Sequence, residues 1–590
     1  MCGIAGEYAY RPESSEVSLQ NVELMAQHMI ARGPDAEGSW LSPDSRVALA
    51  HRRLAVIDTS LSAQQPFFGK SGMLTLVYNG EIYNFQALRS RLESRGHTFK
   101  TKSDTEVLLA LYEEYGVEML SLLRGMFAFG IWDSEKRELV LARDPFGIKP
   151  LYFSDDGRRV LFASQVKALL QCSGIDTSFD PAGHVGFYVF GSIPEPFTLY
   201  SKISMLPAGS FLRVANGRVE SPKQFSSLLD FVGGCGPQDN NGVDGVQSLR
   251  EVLKDSVQHH LISDVPIGLF FSAGLDSTTL ASLAASMSSG QVKTATLQFD
   301  PLLNTPLDEG PLAEKCAKLI GTDHRSSIVH KSDFAQELNN FFDAMDQPSI
   351  DGINTYFVSK AAKETGLTVA LSGIGGDELF GGYPSFCQIP PLAKFRFPSG
   401  VGSPIRSLIA PLISRVTSPK YASILEYCGD YRKAYLLRRG LFLPWELEQF
   451  LDSNTVRDGW GAIESSLFSL PLPQEVPEHV VVSYLEMSLY MRNQLLRDAD
   501  WAGMAHSLEI RVPYVDVEVV RHVSKLHSYH KAVSKRELSV ACAPMLPDEV
   551  RDAQKRGFVV PVRAWLIEDS GKVDRGLRNW AHFVYDRFVN

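Results

Sequence analysis

Residues 265–271 form an apolar run that gives way at once to the small-residue stretch Ser272-Ala273-Gly274-Leu275-Asp276-Ser277, and residues 278–287 then have helical composition. A buried strand entering a helix through so short a turn brings free backbone N–H groups and the positive end of the helix dipole to one point. Ala273 and Gly274 let an anion approach the backbone, and Ser272 and Ser277 add hydroxyl donors. The same pattern describes an ordinary strand-to-helix turn, and this stretch alone does not separate the two. The residues around it constrain the fold further. From about residue 246, candidate strands at 293–299, 326–330 and 369–371 alternate with helical stretches at 247–259 and 312–319 and one ending at 360–364. That alternation predicts a parallel sheet with helices on both faces, a fold in which ligands bind at the carboxyl ends of strands. A second small-residue loop, residues 372–383, stands at such an end.

The N-terminal third reads differently. Residues 74–78 predict a strand ending in a turn at Asn79-Gly80, and 127–132 and 139–142 predict strands around a turn. Val107, Leu108, Leu111 and Tyr112 have helical spacing within 105–115. A sandwich of mostly antiparallel sheets flanked by helices is expected. Cys2 follows the initiator Met directly. Removal of Met1 would leave a free α-amine, with a pKa of about 7.7–8.0, beside its own thiol, which is one route to an activated nucleophile. On that residue alone, a cysteine without a special role is the competing reading.

The loop at 272–277 has no Gly-Lys-Ser/Thr ending and no Gly-x-Gly-x-x-Gly. It resembles the Ser-Gly-Gly-x-Asp-Ser pyrophosphate loop of ATP pyrophosphatases, with Ala273 in place of one glycine, the first of the pair. MCGIAG at 1–6, ARGPD at 31–35, HRRLAVID at 51–58, NGEIYN at 79–84, SDTEV at 103–107, RGMFAF at 124–129 and RDPFGIKPLYF at 143–153 come in the order of another family. They resemble the glutaminase domain of class II glutamine amidotransferases. Ser372-Gly373-Ile374-Gly375-Gly376-Asp377-Glu378-Leu379-Phe380-Gly381-Gly382-Tyr383 resembles the synthetase signature of asparagine synthetases. Arg497-Asp498, Met504-Ala505, Ser507-Leu508-Glu509, Arg511, Pro513, Asp516, Lys535, Lys555-Arg556-Gly557-Phe558 and Trp565 extend the match nearly to the C-terminus.

The resemblance implies an α+β N-terminal-nucleophile (Ntn) hydrolase sandwich followed by an α/β parallel-sheet ATP-pyrophosphatase domain. It places the glutaminase in 1–215, a linker in 216–245 and the ATP-binding domain in 246–590. It implies that Cys2 is the nucleophile and that Asn79 and Gly80 form the oxyanion hole. Arg53, Asn79, Glu81 and Asp104 would bind glutamine. ATP would lie against Phe271, Ser272, Gly274, Asp276, Ser277, Leu297, Ser372 and Gly373, with Mg²⁺ on Asp276. Lys535 would stabilise phosphate charge, and Ile374, Asp377 and Glu378 would face the acceptor. The expected chemistry is transfer of ammonia, through an internal passage, to an adenylated carboxylate. Aspartate is the first reading of that acceptor; a sugar uronic acid, cell-envelope precursor or natural-product acid is the alternative.

Two departures stand out. Ile374 occupies a position where asparagine synthetases commonly carry an acid, and Gln165 one where many relatives have Glu. The β-lactam-forming relatives need no ammonia and typically lack the nucleophile, whereas Cys2 is present here. A non-catalytic binding protein is disfavoured by the intact Arg53, Asn79, Asp104, Ser272, Asp276 and Lys535. The formal charge of −10 argues against a general nucleic-acid binder. No apolar run of membrane-spanning length occurs. Seven scattered cysteines without a Cys-x-x-Cys give neither a zinc site nor a disulfide framework. The partners expected are small-molecule substrates in the cytoplasm, with a homodimer among the assemblies allowed.

Overall fold

The structure, a computed structural model, describes residues 2–232, 245–288, 290–397, 402–529, 533–552, 565 and 577–589. The expected linker residues 233–244 and Lys555-Arg556-Gly557-Phe558 lie outside the described residues.

The N-terminal half is two stacked antiparallel sheets. One contains β1 (Gly3–Ala9) and its neighbour β2 (Val47–Arg53), with Arg159–Ala163 on the other side of β1. The second contains β3 (Leu74–Ile82) and β4 (Gly125–Asp133), continued by Glu138–Arg143 and Ser210–Ala215. Ile4 and Leu49 of the first sheet meet Val77, Ala128, Leu141 and Leu212 of the second in one apolar layer. Helix α1 (Leu19–His28) covers the outside of the first sheet, and α2 (Phe85–Glu93) and α3 (Asp104–Tyr115) cover the second. The α/β/β/α sandwich follows from the strands' two-residue period, which gives each sheet two apolar faces.

The expected turn at Asn79-Gly80 is not a turn. β3 runs through it to Ile82, pairing Asn79 with Ala128, Gly80 with Phe127 and Ile82 with Gly125. Gly80 has φ +155°, and a Cβ there would lie 2.1 Å from the Met126 carbonyl oxygen. Only glycine keeps the ladder intact at that approach.

The C-terminal half is built on five parallel strands, β5 (Ile267–Phe270), β6 (Lys293–Phe299), β7 (Asp323–Val329), β8 (Val369–Leu371) and β9 (Glu509–Arg511), in the order β7-β6-β5-β8-β9. The chain steps from β5 to β6 to β7 in one direction, then returns to the other side of β5 for β8 and β9. The reversal falls between β5 and β8, and in such sheets the crevice for ligands opens at the carboxyl ends of those two strands. Both small-residue loops leave from there. The first enters α4 (Leu275–Met287), with Gly274 as its N-cap; the second enters α5 (Gly376–Phe380) through Gly375 at φ +96°. Two later helices bear on the same crevice, α6 (Arg497–Met504) and α7 (Lys535–Cys542). Lys535 is the first residue inside α7, behind an N-cap from Ser534. No helix among the described residues is long and apolar enough to cross a membrane.

The halves share a core in which Tyr83, Met126, Phe146 and Ile148 of the first pack with Leu371, Val512 and Met487 of the second. Ion pairs cross it. Arg32 forks onto Asp500, Nη1 to Oδ2 at 2.6 Å and Nη2 to Oδ1 at 3.1 Å, with both side chains 3% exposed or less. Arg124 Nε donates to Asp516 at 2.8 Å. Arg511 donates to Glu509 at 2.6 Å and reaches Glu81 at 3.5 Å. The short segment at Gln165 also leans on the second half: Asp346 accepts from Val166 N at 3.0 Å and Lys167 N at 2.9 Å. A carboxylate from across the interface thus serves the helix start where Gln165 carries no charge of its own.

Breaking a buried ion pair from one side strands the other charge. Arg32→Met is expected to cost on the order of 3–5 kcal/mol in urea unfolding, and Arg32→Met/Asp500→Leu to recover more than half of it. Additive losses in the double variant would show that the pair is not coupled. A second expectation concerns Ala273, held at φ +55° in the left-handed region. That conformation costs an L-residue about 1–2 kcal/mol, part of which returns as unfolded-chain entropy when glycine replaces it. Ala273→Gly should therefore stabilise the protein by roughly 0.5–1 kcal/mol in the same assay, and a loss of stability would remove the case for strain.

Candidate active sites

The first site forms where the two sheets of the sandwich meet. Val77, Asn79 and Glu81 share one face of β3, and since Val77 lies in the inter-sheet core, Asn79 enters the same layer. Cys2, at the start of β1, is buried there. Its backbone N–H donates to Asn79 Oδ1 at 2.9 Å, and Asn79 Nδ2 is buried without a partner. Burial pushes the Cys2 thiol up, while the nearby Arg53 charge opposes the shift. Arg53 is held by the backbone of the next loop, donating to the Ser60 carbonyl at 2.8 Å and also to that of Asp58.

Asp104 is the first residue of α3. Its Oδ2 accepts from Tyr78 Oη at 2.8 Å and Ile82 N at 3.0 Å. Burial raises its pKa against those hydrogen bonds. Glu81 faces the second half; burial, then Glu509, push its pKa well up against the pull of Arg511. Residues expected from distant stretches, Cys2, Arg53, Asn79, Glu81 and Asp104, thus converge. In the sequence Arg32 stands out only as part of the ARGPD motif, yet its Nε donates to the Cys2 carbonyl at 3.1 Å while its fork holds Asp500. Nothing in local spacing signals that role, because its partner lies far along the chain.

The second site is a cavity of about 1180 Å³ at the carboxyl ends of β5 and β8. Every residue expected to touch nucleotide or acceptor lines it, from Phe271, Ser272, Gly274, Asp276, Ser277 and Leu297 through Ser372, Gly373, Ile374, Asp377 and Glu378 to Lys535. The two loops touch each other. A Cβ on Gly373 would lie 3.1 Å from that of Asp276, and one on Gly376 would lie 2.5 Å from its Oδ1. Within the first loop, Ser272 Oγ stands 3.3 Å from Ser277 Oγ, and Thr278 Oγ1 donates to the Gly274 carbonyl at 2.8 Å. Phe271 and Leu297 supply buried apolar wall.

Lys535 Nζ donates to both Asp276 and Asp377. Burial works against its charge, but the two carboxylates outweigh it and hold the pKa above the ordinary lysine value. Two carboxylates converging on one cation form an oxygen donor set of the kind that suits Mg²⁺. Glu378 accepts from Tyr383 Oη at 2.7 Å and from Gly375 N at 3.1 Å. Burial and then the neighbouring Asp377 push its pKa up to about 7. Tyr490 and Leu495 also line the cavity, from a π-helical stretch, Glu486–Leu496, an irregularity that frequently marks functional positions. Local sequence pattern marks neither of them.

β9 joins the sites. Arg511 reaches Glu81 with its side chain and accepts from Ser372 N through its carbonyl at 2.8 Å.

Comparison with known proteins agrees with this geometry. A family model described as a glutamine amidotransferase domain matches residues 1–226, and one described as asparagine synthase matches 248–581. The chain is 33% identical to asparagine synthetase [glutamine-hydrolyzing] 1 of Bacillus subtilis, over 98% of this chain and 90% of the relative. It is 31% identical to a putative asparagine synthetase of Mycobacterium tuberculosis, over 96% and 88%. It is also 25% identical to Amidase chry2 of Gibberella zeae, over 96% and 90%. The chain belongs to the asparagine synthase family, and is a glutamine-dependent carbon–nitrogen ligase in which a glutamine amidotransferase half is joined to an ATP-using synthetase half.

Proposed function

We propose that residues 1–215 hydrolyse glutamine at Cys2, that ammonia passes internally, and that residues 246–590 amidate an adenylated carboxylate, with 216–245 as linker. The observation that carries this reading is the Cys2 nitrogen on Asn79 Oδ1 with Asn79 Nδ2 left over. Once Met1 is removed, that nitrogen is the α-amine. A thiol raised by burial needs a base, and the amine takes its proton as sulfur attacks the glutamine carboxamide. Asn79 Nδ2 and the Gly80 N–H stabilise the oxyanion. The amine then returns the proton to the leaving ammonia, and water, giving a proton to the amine that passes on to sulfur, cleaves the thioester to free glutamate and the thiol. Arg53 pairs with the glutamine α-carboxylate, and Asp104 with the chain around Glu81 holds the α-ammonium. The apolar core between Met126, Ile148 and Leu371 keeps water from the interface.

In the second half, Ser272 to Ser277 bind the ATP phosphates, with adenine against Phe271 and Leu297, and Ser372 and Gly373 complete the cradle. Asp276 would hold Mg²⁺, whose charge when bound favours departure of pyrophosphate. The acceptor carboxylate attacks the α-phosphorus, releasing pyrophosphate, and Lys535 offsets the growing negative charge. Ammonia attacks the acyl carbon and AMP leaves. The proton shed by the incoming nitrogen goes to Glu378, since Ile374 cannot accept it. Aspartate, giving asparagine, is the acceptor that the names of the relatives carry. A different carboxylate, amidated by the same steps, is the second reading, and Ile374 favours it.

Cys2→Ala should abolish amide formation from glutamine and retain it with ammonium salts, whereas Asp276→Ala should abolish pyrophosphate release and leave glutaminase intact. Equal loss from both nitrogen sources in the first variant, or retained pyrophosphate release in the second, would contradict the two-site scheme. The carboxylate form of Glu378 prevails above pH of about 7. Amide formed per glutamine hydrolysed should therefore fall as pH drops through that value. Glu378→Gln should lower it on the order of a hundredfold above that pH and flatten the pH dependence, and unchanged coupling in that variant would exclude the base role.

A further inference from the structure

The wall of the second cavity, from Glu378 of the second loop onward, carries acids held by neutral donors. Asp498, on α6, accepts from Ser349 Oγ at 2.7 Å and Trp501 Nε1 at 2.8 Å. Asp351 accepts from Tyr490 Oη at 2.8 Å. Glu378 accepts from Tyr383, whose ring stands 5.9 Å from that of Tyr490. The three carboxylates and the two tyrosines line one continuous surface. Among the described residues, none of the three carboxylates has a cationic side chain in contact.

The nearest cations are engaged elsewhere. Lys535, the single Lys or Arg among the described residues that line the cavity, bridges Asp276 and Asp377. Arg439 stacks on Tyr490 at 4.0 Å and Tyr383 at 4.7 Å, and its Nε donates to Glu486 at 3.1 Å. Arg497 donates to the Ile193 carbonyl at 2.6 Å.

We infer that the acceptor is a carboxylate bearing a cationic amino or guanidino group, seated by Asp351 and Asp498 across an apolar stretch at Ile374, Val358 and Leu495. The inference rests on the adenylating-ligase reading and deepens it by naming the acceptor class. A buried carboxylate without a counter-charge is costly, and a bound cation removes that cost. A second carboxylate on the acceptor, such as the α-carboxylate of aspartate, would add to it. The electrostatics agree with the geometry: burial above all, reinforced by the charge of Asp351, pushes Asp498 up to about 7, and burial raises Asp351. Ile374, in place of an acid, gives the methylene stem an apolar neighbour and leaves the cation to the wall.

The test is pyrophosphate release by the full chain with ATP, Mg²⁺ and glutamine, using four probes: 6-aminohexanoate, 4-guanidinobutyrate, glutarate and L-aspartate. One of the two cationic probes is expected to act with a KM at least roughly tenfold below those of glutarate and aspartate. Asp498→Asn, which preserves the shape, should raise that KM roughly ten- to a hundredfold, and Asp498→Lys should shift the preference towards glutarate. A preference of the unaltered chain for aspartate or glutarate overturns the cationic acceptor and leaves the ligase reading standing. Absence of pyrophosphate with all four probes, with glutaminase working, overturns the ligase reading and the inference together.

Discussion

The arrangement of the molecule depends on Arg32. Its guanidinium is buried, and keeping a charge there requires oxygens for its N–H groups. Two go to Asp500 of the synthetase half and one to the carbonyl of Cys2. A bidentate fork fixes orientation as well as distance. The backbone of Cys2 is thereby aligned against the other half of the molecule. The contact of Arg511 with Glu81 does the same for the sheet edge, and Arg124–Asp516 for the loop beyond it. Buried ion pairs are modest sources of net stability, but they discriminate strongly against every docking in which a charge is left alone.

Much of this was legible in the chain, for identifiable reasons. Strand-to-loop-to-helix transitions carry their chemistry in consecutive residues, so the loops at Ser272 and Ser372 could be read directly. The order of β5 and β8 in the sheet could not, because strand order is a long-range property, and it is that order which puts the two loops beside each other. Asn79-Gly80 misled in a specific way. The pair is a strong turn signal in isolation, yet the ladder with β4 overrides it, and the glycine serves close approach to Met126.

The residues that the sequence hid are those whose partners are remote. Arg32, Asp346, Asp351 and Tyr490 have no periodicity or neighbour that marks them. Gln165 shows the reverse: its missing charge looked like a loss, but Asp346 supplies a carboxylate to the same helix start from across the interface. A substitution read on one half has its compensation on the other.

Helix α6 carries Asp498 and Asp500 two positions apart, so one carboxylate faces the second cavity while the other holds Arg32 behind Cys2. This sets a limit on how acceptor preference can be transplanted between relatives. Grafting the whole helix exchanges the cavity wall and the anchor of Cys2 together. The segment that can be exchanged freely ends at residue 498, and Asp500 has to travel with the Arg32 it belongs to.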